Sequence, residues 1–216
     1  MTLVAERPVE TAPVVRELGL VDYAQSLVAM RQFTAQRSDD TPDELWLLEH
    51  PPVYTLGQGA DTAHGPKKGT GIEVLRVERG GEVTYHGPGQ LVVYTLVDIA
   101  RRGIKVREYV KLLEQSLIDL LAAHGVAAAR KPGAPGVYVN GAKVAALGIR
   151  ITRGRALHGL SLNVDMDLGP FAAIDPCGFP GLAVTQTRNL GIAAGVDVLG
   201  AELARIITAH LEARHA

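Results

Sequence analysis

Cysteine is nearly missing from this 216-residue chain: it has one, Cys177. That excludes an internal disulfide framework and any thiolate-rich zinc site, and it suits a reducing compartment. Charge imbalance is missing too. With 22 Lys and Arg against 23 Asp and Glu the formal net charge is -1, which argues against non-specific nucleic-acid binding, since that relies on surplus basic surface. An anionic partner would have to meet a local patch. No apolar run approaches the roughly 20 residues that a spanning helix needs. The opening MTLVAERPVETAPVV has acids and prolines where a secretory signal needs a basic and then an apolar stretch. The expectation is a cytoplasmic protein with no membrane and no nucleic-acid partner. Internal repeats and low-complexity tracts are lacking as well.

What is present fits one sizeable domain, since the length supports a real core but not two comfortable ones. Residues 1–15 carry no period and read as a flexible arm, leaving 16–216 as the domain. From Leu18 the residues Leu20, Ala24, Leu27 and Met30 recur at helical spacing toward Arg37. A second helix is marked by Val106, Val110, Leu113, Leu117, Leu120 and Leu121, with Gly125 as its stop. A third carries Leu199, Leu203, Ile206, Ile207 and Leu211 on one side. Between them lie β-rich runs: LWLLE, VYTL, VLRVE, LVVYTLV, GVYV, AKVAALGIRI and LHGLSLNV. Strands grouped as hairpins between scattered helices give an α+β class with a mixed, largely antiparallel sheet and flanking helices.

One hairpin can be drawn residue by residue. Asn140-Gly141 is a strong two-residue turn signal because both positions want positive φ. The register then sets Val139 against Ala142 and Tyr138 against Lys143. Arg153-Gly154 turns the strand again, which brings Gly148 opposite Gly159. Facing glycines remove side chains from a patch of sheet and let a ligand lie on bare backbone; a bulge or a close helix contact stands as the alternative.

Cys177 sits in IDPCGFPG, where Pro176, Gly178 and Pro180 disfavour regular structure and put the thiol on a constrained loop. Free cysteine is otherwise commonly inert and buried, so both readings stand open here. A nucleophilic thiol needs a partner that promotes thiolate, since its reference pKa is about 8.5. Lys143, just after a tight turn on a strand of small and apolar residues, is one candidate; a snorkelling surface lysine is the other reading. A thiol and an amine with reference pKa values of about 8.5 and 10.4 can share one proton when burial works against the ion pair. The stretch RGGEVTYHGPGQL is glycine-rich but lacks GxxxxGK[ST] and GxGxxG spacing, so a nucleotide reading is weak. His86 within it, and His158 in LHGLSLN, are each a candidate base or a structural hydrogen bonder. No histidine pair has ligand spacing, and no metal is assigned.

RGGEVTYHGPGQLVVY, PGVYVNGAKVAALGIRI, LHGLSLNVDMDL and IDPCGFPG, in this order and with PPVYTLGQ upstream, resemble the lipoyl(octanoyl) transferases over roughly residues 45–190. That resemblance implies the α+β fold of the biotin and lipoate protein ligase catalytic domains. It also implies octanoyl transfer from octanoyl-acyl carrier protein to a lysine of lipoyl domains, those of 2-oxoacid dehydrogenase E2 subunits and glycine cleavage H protein, without a cofactor or ATP. By motif position it makes Cys177 the acylated residue and Lys143 its partner. It assigns substrate binding to Arg79, Gly80, Gly81, Glu82, Val83, Thr84, Tyr85 and His86, and to two wall segments, Ala146, Leu147, Gly148 and Gly159, Leu160, Ser161. Backbone N–H groups near Leu147 and Gly148 are then expected to stabilise a tetrahedral oxyanion. One departure is visible: Thr95 follows QLVVY, where the family usually has proline.

An acidic carrier protein calls for a basic docking patch. Arg101, Arg102, Lys105, Arg107 and Lys111 form the densest basic run, and Arg150, Arg153 and Arg155 form another. Three other functions compete: an ATP-dependent lipoate ligase on the same fold, a non-catalytic carrier-domain-binding protein, and a cysteine hydrolase with His86 as base.

Overall fold

The computed structural model describes residues 12–61, 65–66, 70–175 and 181–213. Cys177, with the rest of its DPCG motif after Asp175, lies outside the described residues. Among the described residues ten strands and three α-helices follow one another as β1 (Val14–Leu20), α1 (Tyr23–Gln36), β2 (Glu44–Glu49), β3 (Val53–Leu56), β4 (Glu73–Arg76), β5 (Val83–His86), β6 (Gln90–Leu96), α2 (Val106–Ala123), β7 (Ala129–Lys131), β8 (Ala134–Val139), β9 (Ala142–Thr152), β10 (Arg155–Asn163) and α3 (Val196–Glu212). Seven strands form one sheet in the order β1-β2-β6-β10-β9-β8-β7, and three form a smaller sheet in the order β4-β3-β5. Only β1/β2 and β3/β4 run parallel. The class is α+β, mixed and mainly antiparallel.

Strand alternation sends residues of the large sheet into two cores. Leu45, Leu47, Leu91 and Val93 meet α2 and α3 through Leu113, Leu117, Leu203 and Ile207. Trp46, Leu48, Val92 and Tyr94 point the other way, to Leu27 and Met30 of α1. Each of these fully buried leucines is worth about 1.5–3 kcal/mol. The small sheet lies on the α1 side, where Val53 joins that second core. Its Tyr54 and Tyr85 pack on Phe171, which belongs to a 3-10 turn over Gly169–Ala173.

The first helix begins later than the spacing suggests. Leu18 and Leu20 belong to β1, which pairs with β2, and α1 starts at Tyr23 because the Asp22 carboxylate caps it by accepting from Gln25 N–H at 3.0 Å. Helical spacing between Leu20 and Ala24 was coincidental across a strand-to-helix junction. On α2 the first residue, Val106, is exposed, and Tyr109 and Leu112 complete the buried stripe. The drawn hairpin forms as expected. Asn140 and Gly141 take φ of 49° and 84°, Arg153 and Gly154 take 51° and 78°, and Gly148 pairs with Gly159.

Candidate active site

The site forms where β9 departs from regularity. Tyr138 faces Lys143, but Val137 next faces Ala145, so Val144 is an extra residue on β9. This bulge reverses the edge that the peptide groups of β9 serve. Before it, Lys143 N–H donates to the Ala183 carbonyl at 2.8 Å and Lys143 C=O accepts from Thr185 N–H at 2.9 Å, on the edge away from β8. After it, Ile149 C=O accepts from Gly80 N–H at 2.9 Å, on the opposite edge. Peptide groups alternate along a strand, so Leu147 shares the direction of Ile149 while Gly148 turns into the ladder with β10. Of the two expected oxyanion donors, only Leu147 has an N–H aimed away from that ladder.

The Lys143 side chain runs inward. The residue is 4% exposed, which removes the surface-lysine reading. Its Nζ stands 5.4 Å from the Tyr138 ring centroid, and its stem lies against Gly136, where a Cβ would come within 2.7 Å of Lys143 Cε.

One pocket collects most of the residues expected from sequence. Lys143, Arg79, Gly81, Glu82, Val83, Thr84, His86, Ala146, Leu147, Gly148, Gly159, Leu160 and Ser161 all line it. Gly80 and Tyr85 are not in its lining. Gly80 pins its loop to β9, and Tyr85 is turned onto Tyr54 and Phe171. The facing glycines serve the protein itself more than expected. A Cβ on Gly148 would meet Arg79 Cδ at 3.0 Å, and one on Gly159 would run into the Val93 carbonyl.

Sequence reading did not assign Tyr23, Gln90, Tyr94, His158 or Asn163 to the lining, yet all contribute. Tyr94, Gln90 and His158 stood inside quoted motifs; Tyr23, on a helix distant in sequence, gave no signal. Their hydrogen bonds form a directed chain. Arg79 Nε and a terminal nitrogen donate to Thr55 Oγ1 at 3.1 and 2.9 Å. His86 Nδ1 donates to Gln90 Oε1 at 2.6 Å, an orientation fixed because Gln90 Nε2 donates to the Tyr85 carbonyl and to Asn163 Oδ1. Asn163 Nδ2 then donates to the Thr185 carbonyl at 2.9 Å, next to Lys143. Burial, with the neighbouring His50 as the next cause, pushes His86 down to about 3, and burial pushes His158 down to about 4. A neutral His86 whose Nδ1 proton is committed to Gln90 and whose Nε2 faces Thr55 Oγ1 at 3.5 Å is a positioned hydrogen bonder. Thr95, at the departure from the family pattern, is buried and donates from Oγ1 to the His158 carbonyl at 3.4 Å.

Two arginines of the first basic run turn inward, while its Lys105, Arg107 and Lys111 stay exposed. Arg102 Nε donates to Asp43 Oδ2 at 2.6 Å and Arg101 donates to Asp43 Oδ1 at 2.8 Å, beside Arg37 at 2.6 Å. Arg102 and Asp43 are buried. These arginines hold the turn before β2 to the turn after β6, and charge in the interior needs such pairing. Arg155 likewise turns in, to Asp98 and to the Arg37 carbonyl, leaving Arg150 and Arg153 exposed from the second run.

Residues 22–209 match the lipoyl protein ligase A/B catalytic domain. The chain belongs to that family. Within it, the chain is 57% identical over 200 residues to an octanoyltransferase of Aromatoleum aromaticum, covering 92% of this chain and 86% of that one. It is 60% identical over 184 residues to an octanoyltransferase of Thiobacillus denitrificans, covering 85% and 84%. The chain is thus a transferase enzyme of this group. The fold is shared more widely. A lipoate-protein ligase A bound with ATP superposes with a TM-score of 0.78 at 14% identity, over 94% of this chain and 86% of that one. The biotin protein ligase of Aquifex aeolicus gives 0.57 at 12%, over 94% and 70%. At those identities the likeness concerns the fold alone.

Proposed function

We propose that this enzyme moves an octanoyl group from an acyl carrier protein thioester to the ε-amine of a lysine on a lipoyl domain, through an acylated Cys177. In the first half, the Cys177 sulfur bonds to the thioester carbonyl carbon and the carrier's phosphopantetheine thiolate leaves, taking the proton that Lys143 received from Cys177. In the second half, the acceptor amine attacks the enzyme thioester, Cys177 departs, and Lys143 takes the amine's surplus proton. Leu147 N–H is the group offered to the oxyanion in both halves. The thioester is already activated, so no ATP and no cofactor enter.

The observation that carries this reading is the buried Lys143, on a groove between the two sheets, hydrogen-bonded through its own peptide to Ala183 and Thr185. Cys177 stands six positions before Ala183 in the sequence, a stretch that can span at most about 22 Å. Identity above half with octanoyltransferases supports the octanoyl group over the ATP-dependent rival. No helix among the described residues is long and apolar enough to cross a membrane, and the enzyme is assigned to the cytoplasm. The carrier protein's acidic surface is assigned to exposed Arg150 and Arg153. The deciding experiment is intact-mass analysis after mixing with octanoyl-acyl carrier protein. One octanoyl adduct is expected, lost on thiol treatment and absent in Cys177→Ser. Transfer by Cys177→Ala that requires ATP would overturn the reading.

A further inference from the structure

We propose that His158, Tyr23 and Tyr94 form a polar floor that limits the acyl chain to about eight carbons. The inference rests on the proposed function, in that it takes the pocket of Lys143 as the acyl site. His158 is 2% exposed, lines the pocket, and has no hydrogen-bond partner on either ring nitrogen among the described residues. The nearest carboxylate, Glu78, stands 3.9 Å away and is engaged by Arg31. His158 also holds φ at +62° inside a strand. A strained backbone and an unpaired buried ring in one residue both oppose folding, and such outliers cluster at ligand sites.

The two tyrosines share this end of the pocket. His50 Nδ1 must donate to the Val21 carbonyl, at 2.6 Å, so its Nε2 accepts the Tyr94 hydroxyl proton at 2.7 Å. Tyr23 lines the pocket beside Tyr94. Ser26 cannot serve Tyr94 as donor, because its proton goes to the Tyr23 carbonyl at 2.8 Å. Tyr94 thus spends its proton on His50, and Tyr23 adds a second hydroxyl to this end of the pocket.

The register sets the length. Lys143 Nζ lies over Gly136, whose neighbour Val137 faces Ala145, while His158 faces Ile149. From Ala145 to Ile149 is four strand steps, about 14 Å at ~3.4 Å each. A reacting carbonyl sits about 3 Å from the group that serves it. An extended eight-carbon chain covers about three further steps, roughly 10 Å, and its methyl end meets the floor. On the way it passes the rung of Ala146, Ser161 and Val92. Two more methylenes would each bring about fourfold in binding if buried against carbon. Against the His158 ring, whose nitrogens are already out of water, they find no such carbon-lined room and forfeit that gain.

The test compares octanoyl-, decanoyl- and dodecanoyl-acyl carrier protein in single-turnover transfer to a lipoyl domain. His158→Gly fits the left-handed backbone and deletes the ring; it is expected to raise the decanoyl-to-octanoyl rate ratio at least tenfold. Tyr23→Phe removes one pocket-facing oxygen with packing kept, should raise the ratio about fivefold, and preserves the test if the His158 variant loses its fold. Ratios unchanged from wild type in folded His158→Gly, or in Tyr23→Phe, would overturn the floor. Failure of the wild-type chain to transfer octanoyl at all would instead overturn the proposed function.

Discussion

Asn163 holds Thr185: its side-chain amide donates to the Thr185 carbonyl at 2.9 Å, while Thr185 N–H donates to the Lys143 carbonyl. The segment that follows Cys177 in the sequence is thereby fastened to the strand of Lys143, and Asn163 is a positioning residue. Asn163→Asp keeps the acceptor for Gln90 and loses the donor to Thr185. A displacement of about 1 Å between reacting groups can cost about 100-fold, so acyl-enzyme formation in this variant should slow by about 10- to 100-fold. The loss should fall on kcat with KM little moved. Wild-type kinetics in Asn163→Asp would show that the clamp does not position the reacting groups.

Lys143→Ala should slow acylation of Cys177 by about 100- to 10,000-fold, the usual scale for a positioned proton acceptor. Lys143→Arg should not restore it, because a guanidinium does not give up its proton at working pH. Rapid-quench measurement of the octanoyl adduct separates these. An arginine variant that acylates at the wild-type rate would reduce Lys143 to a charge and remove it as proton carrier.

Gly136 and Gly141 differ in what surrounds them. Gly136 has φ of +135°, and a Cβ there would meet both the Ala145 carbonyl, at 2.6 Å, and the Lys143 stem; Gly141 has φ of +84° with nothing within 4 Å. Alanine at either site costs about 1–3 kcal/mol of backbone strain. Only Gly136→Ala should also displace Nζ and lower octanoyl transfer, by at least tenfold. Equal activity losses in the two variants, judged beside their urea midpoints, would mean that Gly136 acts through stability alone.

Local chemistry was legible and crossing contacts were not. Asn140-Gly141 wrote its own turn, so the register through Gly148 and Gly159 could be counted from sequence. The extra residue at Val144 could not, because a bulge in a run of small apolar residues leaves no compositional mark, and it decides that Leu147 rather than Gly148 offers its N–H. The Arg101-Arg102 run looked like a surface patch because a sequence shows charge without showing Asp43, 58 positions away from Arg101, which turns both side chains inward. Tyr23 escaped for the same reason: its role exists only where α1 crosses the large sheet. Gly159 lines the pocket, and the Val93 carbonyl where its Cβ would stand is a second demand for glycine that the sequence did not show.

Asp43 answers three arginines and the Asp98 N–H from the interior. Burial alone would raise its pKa, but the Asp98 N–H and the Arg37 and Arg102 guanidinia outweigh it and hold the carboxyl below its ordinary value. Asp43→Ala leaves buried cations unpaired and should cost about 3–5 kcal/mol in chemical unfolding. Because the folded pKa is depressed, this contribution is complete above the unfolded carboxylate range and disappears as pH falls through the folded value. A loss under 1 kcal/mol would mean that solvent compensates the arginines.

Three buried histidines give the enzyme an earlier acid weakness. Burial holds His50 and His158 at about 4 and His86 at about 3, against an ordinary 6.5. The folded protein keeps all three neutral while the unfolded chain protonates them below pH 6.5, so the unfolded state binds more protons between there and about pH 4. Stability should therefore fall as pH drops through this window, each histidine adding up to about 1.4 kcal/mol per pH unit. Asn tolerates the left-handed backbone at position 158, and His158→Asn should remove about a third of the histidine slope without abolishing it. Urea unfolding at pH 7, 6 and 5 measures both chains. A wild-type stability that stays flat from pH 7 to 5 would mean these rings reach solvent and protonate in place, which the burial of His86 among Thr55, Gln90 and Tyr23 opposes.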